Sequence, residues 1–220
     1  MNDLTRSVIA IDGPAGAGKS TIAKLLARRL GLRYLDTGAM YRALALAAVR
    51  ESLTSEAEQA ERVASLNLRF GDGDPQRVFL GKEDVTVLIR TPQIAERASA
   101  ISALGKVRAE LVRLQQRFVA EGGIVLEGRD TTTVVAPNAT LRVFLTASLE
   151  ERARRRADEF GTADFEEVRR QIESRDHRDI TRGESPLRVA DGALVLESGG
   201  RTPDELVESI IAVLSKAATS

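Results

Sequence analysis

Short apolar runs alternate with amphipathic stretches along most of this chain. The apolar runs predict strands over residues 7–11, 123–127, 141–146 and 193–197. Helical spacing of apolar positions predicts helices over 19–30, 38–51, 55–65, 92–120 (broken near Gly105), 148–160, 164–181 and 203–217. In the last of these, Leu206, Ile210, Val213 and Leu214 form one stripe, and Thr202-Pro203-Asp204-Glu205 supplies a threonine cap, an N1 proline and first-turn acids. Strands interleaved with helices imply an α/β fold, a parallel sheet flanked by helices.

Residues 66–90 interrupt that rhythm. Leu66–Phe70 and Arg77–Leu80 alternate like strands around Gly71-Asp72-Gly73-Asp74-Pro75, which predicts a hairpin with a third short strand near Val85–Ile89. A small β insertion of this kind is either decoration or a substrate-binding lobe.

The sequence of 220 residues has 32 basic and 32 acidic side chains, so no global field draws it to nucleic acid or an acidic membrane. It has no cysteine and a single histidine, His177, which excludes disulfides, cysteine-ligated metals and a histidine metal cluster. No apolar run approaches the roughly 20 residues of a membrane span, and Met1–Ser7 lacks the apolar core of a signal peptide. These features lead us to expect a cytoplasmic protein without nucleic-acid or membrane partners.

The chemistry begins at residues 13–20, Gly13-Pro14-Ala15-Gly16-Ala17-Gly18-Lys19-Ser20, a complete G-x-x-x-x-G-K-S loop between a strand and a helix. Glycines let successive N–H groups turn inward toward phosphate oxygens, and the following helix N-terminus adds positive potential. Lys19 reaches the β- and γ-phosphates, the Ser20 hydroxyl can ligate Mg²⁺, and Thr21 completes the loop. The chain therefore binds a nucleoside triphosphate, with ATP and Mg²⁺ as the expected cofactors.

Later residues narrow the reaction. Thr37 is placed to cap the next helix, whose N-terminus can accept a second anion, with Arg42 one turn along. An apolar strand ends in Glu127, suited to orient Mg²⁺ or its waters, and Gly128-Arg129-Asp130 follows where α/β sheets bind ligands. A purely structural Arg129–Asp130 pair is the alternative. Arg152, Arg155 and Arg156 share a helix face at i, i+3, i+4, as do Arg175, Asp179 and Arg182 at i, i+4, i+7. Each cluster alone reads first as a solvated face laced with Glu and Asp. Phosphoryl transfer changes that balance, because one well-placed arginine is worth about 10³–10⁵ in rate.

Together these residues resemble the bacterial cytidylate kinases over nearly the whole chain. The resemblance rests on Ile11 through Thr21, Leu35-Asp36-Thr37-Gly38-Ala39-Met40-Tyr41-Arg42, and Asp84-Val85-Thr86 to Ile89-Arg90-Thr91-Pro92. It continues through Ala98-Ser99, Val107-Arg108, Gly128-Arg129-Asp130 and Arg175-Asp176-His177-Arg178-Asp179.

The resemblance implies a P-loop kinase domain over 1–220. Its core would cover 1–65, 121–150 and 190–220, with a monophosphate-binding insertion over about 66–91 and a helical lid over about 150–182. It implies phosphoryl transfer from ATP to the small-molecule acceptor CMP or dCMP. Thr37, Arg129 and Arg182 would then hold the acceptor phosphate, with Arg42 nearby; Ser99, Arg108 and Asp130 would read the cytosine edge. Tyr41, Arg175 and Asp179 would surround the ribose, and Arg152, Arg155 and Arg156 would close over ATP. Lys19, Arg129 and Arg182 would carry catalysis, in a monomer. A kinase with another base preference (UMP/CMP or AMP) is the alternative within this class. A GTPase-type switch would carry an Asn-Lys-x-Asp motif, which the sequence lacks. The chain departs from the family pattern at Thr131-Thr132-Thr133, where an apolar residue and Gly-Thr are usual; Thr132 in place of glycine adds bulk and disfavours positive φ.

Overall fold

The computed structural model describes residues 4–161 and 164–217. Two compact units emerge: one uses the chain through Tyr34 and again from Val119, the other Leu35–Phe118.

A five-stranded sheet in the order β2-β6-β1-β7-β8 lies chiefly in the first unit, whose boundary falls within β2. Its strands are β1 (Val8–Asp12), β2 (Arg33–Asp36), β6 (Ile124–Gly128), β7 (Leu141–Thr146) and β8 (Leu194–Glu197). β1 pairs in parallel with both β6 and β7, Asp12 lying opposite Gly128 and Phe144, and β7 pairs in parallel with β8. All the parallel strands therefore end on one side, where the loops carry the chemistry. α1 (Lys19–Leu30) and α8 (Pro203–Ala217) pack together over Ile9, Ile11, Val143 and Leu145 through Ile22, Leu26, Leu206, Ile210 and Leu214. The predicted threonine start of α8 is a reciprocal cap. Thr202 Oγ1 accepts from Glu205 N, and the Glu205 carboxylate accepts from Thr202 N. α6 (Leu149–Phe160) and α7 (Phe165–Thr181) pack through Ala153, Ala157, Val168 and Ile172.

The second unit contains α2 (Thr37–Arg50), α3 (Glu56–Ala64), α4 (Pro92–Ile101) and α5 (Gly105–Ala120), which ends at the unit boundary. The expected break near Gly105 is the three-residue turn between α4 and α5. Its antiparallel sheet is β3 (Leu68–Gly71), β4 (Arg77–Leu80) and β5 (Glu83–Asp84), so the predicted hairpin forms. The third strand is not at Val85–Ile89. The Thr86 hydroxyl replaces a backbone carbonyl as acceptor for Val78 N–H at 2.9 Å, and Thr86 N–H turns to the Asp84 carboxylate at 3.0 Å. That exchange ends the ladder, and Leu88–Arg90 follows as a 3-10 turn. β2 is an addition to the expected strands.

Candidate active site

The phosphate loop runs from β1 to α1 under tight steric control. A Cβ on Gly13 would lie 1.9 Å from Leu145 O, so only glycine permits β7 to approach the loop this closely. Ser20 and Thr21 are exposed in the first turn of α1, while Lys19 is buried and donates from Nζ to Pro14 O at 2.8 Å. Burial lowers the Lys19 pKa to about 7; the charges of Arg129 and Arg175 push the same way, against Glu127 and Asp12. Lys19 thus sits in a basin with two further cations and two carboxylates.

Glu127, the last acid of β6, is buried and accepts from Tyr34 Oη at 2.8 Å. Its carboxylate and the exposed Ser20 hydroxyl are hard oxygen donors that fit Mg²⁺ bound chiefly through nucleotide phosphates. Among the described residues no group of three or more His, Cys, Asp or Glu is arranged to hold a metal ion.

Immediately beyond β6, Arg129 donates from Nε to Asp179 at 2.9 Å and from Nη1 to Gly128 O at 3.1 Å. Arg182 lies 3.6 Å from the other Asp179 oxygen and donates from Nε to Ser185 O at 2.6 Å. Burial alone would raise the Asp179 pKa, but Arg129, Arg175 and Arg182 together hold it below the ordinary carboxylate value. Three arginines that the sequence singles out are therefore gathered on one carboxylate. Asp130, the residue after Arg129, is buried.

The triple threonine has a physical account. Thr131–Val135 forms a single π turn, and none of Thr131, Thr132 and Thr133 adopts positive φ. Thr131 donates N–H and Oγ1 to one oxygen of Asp12, at 2.9 and 2.7 Å; Thr132 donates N–H and Oγ1 to the other, at 2.7 and 2.6 Å. Asp12 is fully buried. Desolvation still raises its pKa although all four bonds oppose the shift. The two hydroxyls tie the start of the phosphate loop to the turn after Arg129-Asp130.

In α6 the three arginines have separate surroundings. Arg152 is buried against Asp176 and the loop backbone at Ala15. Arg155 is bonded to Ser198 and Glu151, and Arg156 to Glu159. His177, exposed on α7, accepts at its carbonyl from Thr181 Oγ1 at 2.7 Å.

The second unit carries Thr37, Tyr41, Arg42, Ser99 and Arg108. Thr37 is the first helical residue, not the cap of α2. Asp36 holds that position, accepting from Ala39 N at 2.9 Å and from Arg42 Nη2 at 2.6 Å. Asp36 takes the role because Arg42 and Arg90, with the cap bond, overcome the cost of burial and hold its carboxyl ionised. Tyr41 lies under the Arg108 guanidinium at 5.6 Å from its ring centroid. Arg108 also donates to Ser102 O at 2.8 Å, and Ser102 Oγ donates to Ser99 O at 2.8 Å, so one short turn orders Ser99 and Arg108 together. Asp12, Tyr34, Asp176 and Ser198 carry no functional role in the sequence reading; only their neighbours in space reveal them.

A cytidylate kinase family model matches residues 9–216. A cytidylate kinase of Carboxydothermus hydrogenoformans is 44% identical over 215 residues, covering 94% of this chain and 97% of its own. One from Caldanaerobacter subterraneus is 47% identical over 214 residues, covering 94% of each. A gluconokinase structure from Sinorhizobium meliloti covers 98% of this chain and 95% of its own at 14% identity and a TM-score of 0.51, a likeness of fold alone. This chain belongs to the cytidylate kinase family.

Proposed function

We propose that the chain transfers the γ-phosphoryl group of ATP to CMP or dCMP, giving CDP or dCDP and ADP. The observation that carries this reading is the gathering of Arg129, at 2.9 Å, and Arg182, at 3.6 Å, on Asp179 just beyond β6, in the same unit as the phosphate loop and its buried Lys19. Such a gathering suits a triphosphate whose terminal group is about to acquire a second partner, and the family's named members are cytidylate kinases.

In this reading residues Gly13–Thr21 hold the β- and γ-phosphates, and Lys19 spreads charge from the leaving oxygen. A phosphate oxygen of CMP forms the new bond to Pγ as the bond between Pγ and the β-bridging oxygen breaks. No general base is needed, because the attacking oxygen is already ionised. Mg²⁺, held through Ser20 and the Glu127 side, supplies charge neutralisation on the donor phosphates when bound. Arg129, Arg182 and Thr37 are assigned to the acceptor phosphate, with Arg42 adding charge. Ser99, Arg108 and Asp130 are assigned to the base; Tyr41, Arg175 and Asp179 to the ribose; Arg156 to ATP.

Asp130 favours cytosine physically. Its carboxylate accepts from the N4 amino group and meets an unfavourable carbonyl in uracil, an unpaired buried contact costing about 1–3 kcal/mol. Steady-state ADP release with and without CMP tests the reading: release that depends on CMP is expected, and acceptor-independent hydrolysis overturns it.

A further inference from the structure

The phosphate loop is gripped along its backbone by side chains from α6, α7 and the segment after β8. Arg152 donates from Nη1 to Ala15 O at 2.9 Å and from Nε to Ala147 O at 3.0 Å. Its guanidinium pairs with Asp176, whose other oxygen accepts from Ala15 N at 3.0 Å. One turn along α6, Arg155 donates to the Ser198 hydroxyl at 2.9 Å and to Ser198 O at 2.8 Å. That hydroxyl in turn donates to Ala17 O at 3.1 Å. The approach is close enough that a Cβ on Gly16 would stand 2.9 Å from Arg152 O.

The consequence follows from peptide geometry. A planar trans peptide directs its C=O and its N–H to opposite sides. With Ala15 O and Ala17 O held by Arg152 and by Ser198, the N–H groups of Gly16 and Gly18 turn the other way. Loop N–H groups facing one concavity are what an anion site of this kind requires. The Pro14–Ala15 peptide is set in the opposite sense: its carbonyl accepts from Lys19 Nζ and its N–H goes to Asp176. Arg152 is 7% exposed, with its fork committed to two carbonyls and a carboxylate.

We propose that Arg152, Arg155, Asp176 and Ser198 are positioning residues that hold the phosphate loop in its anion-binding conformation from behind, without contacting the nucleotide phosphates. This rests on the reading of the loop as the ATP site. It replaces, for Arg152 and Arg155, the direct ATP contact that the family resemblance implies.

The test is a double-mutant cycle on ATP dissociation constants, measured by calorimetry on the full chain. The variants are Ser198→Ala, Arg155→Met and both together. Ser198 carries no charge, so its removal cannot act by deleting a cation opposite the phosphates. Ser198→Ala and Arg155→Met are each expected to weaken ATP binding about fivefold, the equivalent of one hydrogen bond. The double variant should match Arg155→Met alone, because both act through one relay. Ser198→Thr, which keeps the hydroxyl, should retain wild-type affinity where a general packing defect would not. Ser198→Ala within twofold of wild type, with Arg155→Met strongly weakened and additive, would overturn the proposal and make Arg155 a phosphate ligand. A wild-type protein that binds no ATP would instead overturn the nucleotide-site reading on which the proposal stands.

Discussion

Thr132 gives both its N–H and its hydroxyl to one carboxylate oxygen of Asp12, at 2.7 and 2.6 Å, in a fully buried setting. Thr132→Val keeps the shape and the N–H bond but deletes the hydroxyl. A hydrogen bond to a buried charge is worth about 1.5–3 kcal/mol, and a loss of that order is expected in urea denaturation at pH 7. The pH dependence has a definite sign. The Asp12 pKa is raised on folding, so the native state holds the proton more tightly, and the charge burden appears as pH rises above the ordinary value of 3.8. The penalty of Thr132→Val should therefore shrink toward pH 4, where Asp12 is nearer neutral. An equal penalty at both pH values contradicts the assignment.

Lys19 yields a linked-proton prediction. Its pKa is lowered to about 7, first by burial and then by Arg129, so above that pH the free protein holds it largely neutral. A triphosphate restores the charged form, and ATP binding at pH 8 should take up a fraction of one proton. Calorimetry in buffers of different ionisation enthalpy measures this, and Lys19→Met should abolish the uptake and turnover together. The fold should survive: between pH 7 and the ordinary lysine value the unfolded chain binds more protons, so burying Lys19 costs stability below that window and progressively less within it. A Lys19→Met protein that unfolds at pH 7 would count against this.

Asp179 is the shared counter-ion of Arg129 and Arg182, with side-chain exposures of 10%, 16% and 7% in that order. Asp179→Ala deprives the largely buried Arg129 and Arg182 of the carboxylate they share, while Glu127 and Asp176 still act on Arg129, and a loss of about 3 kcal/mol is expected from denaturant midpoints. The Asp179 pKa is lowered on folding, so its contribution is full above the ordinary carboxylate value and lost as pH falls through the folded value. The gap between wild type and variant should close on acidification. Sulfate should raise the melting temperature of the variant more than that of wild type, because an anion replaces the missing charge; equal gains refute the counter-ion role.

The order of elements was readable where one physical signal dominates. β1, the phosphate loop and α1 stand out because an apolar run meets a glycine-rich turn and then a helix that caps on Gly31 with positive φ. β2 escapes notice because Arg33–Asp36 is four residues long with only Leu35 buried, too short and too polar for a period to show. Asp36 and Thr37 are both good caps in adjacent positions, and of the two arginines that favour Asp36 only Arg42 is near it in sequence, Arg90 being brought there by the fold. The α6 arginines show the same limit. Their spacing places them on one face, but only the fold reveals that this face meets Ala15 and Ser198. Tyr34 and Glu127, 93 residues apart, are joined by sheet order, which no local pattern carries.

The central claim is that the phosphate loop serves a cytidine monophosphate acceptor. Initial rates of ADP release from ATP, compared across CMP, dCMP, UMP, AMP, GMP and no acceptor, test it most directly. CMP and dCMP should raise the rate far above the no-acceptor background, and UMP, AMP and GMP should lie well below them. ADP release that is equally fast without any acceptor, or fastest with AMP or GMP, would contradict it.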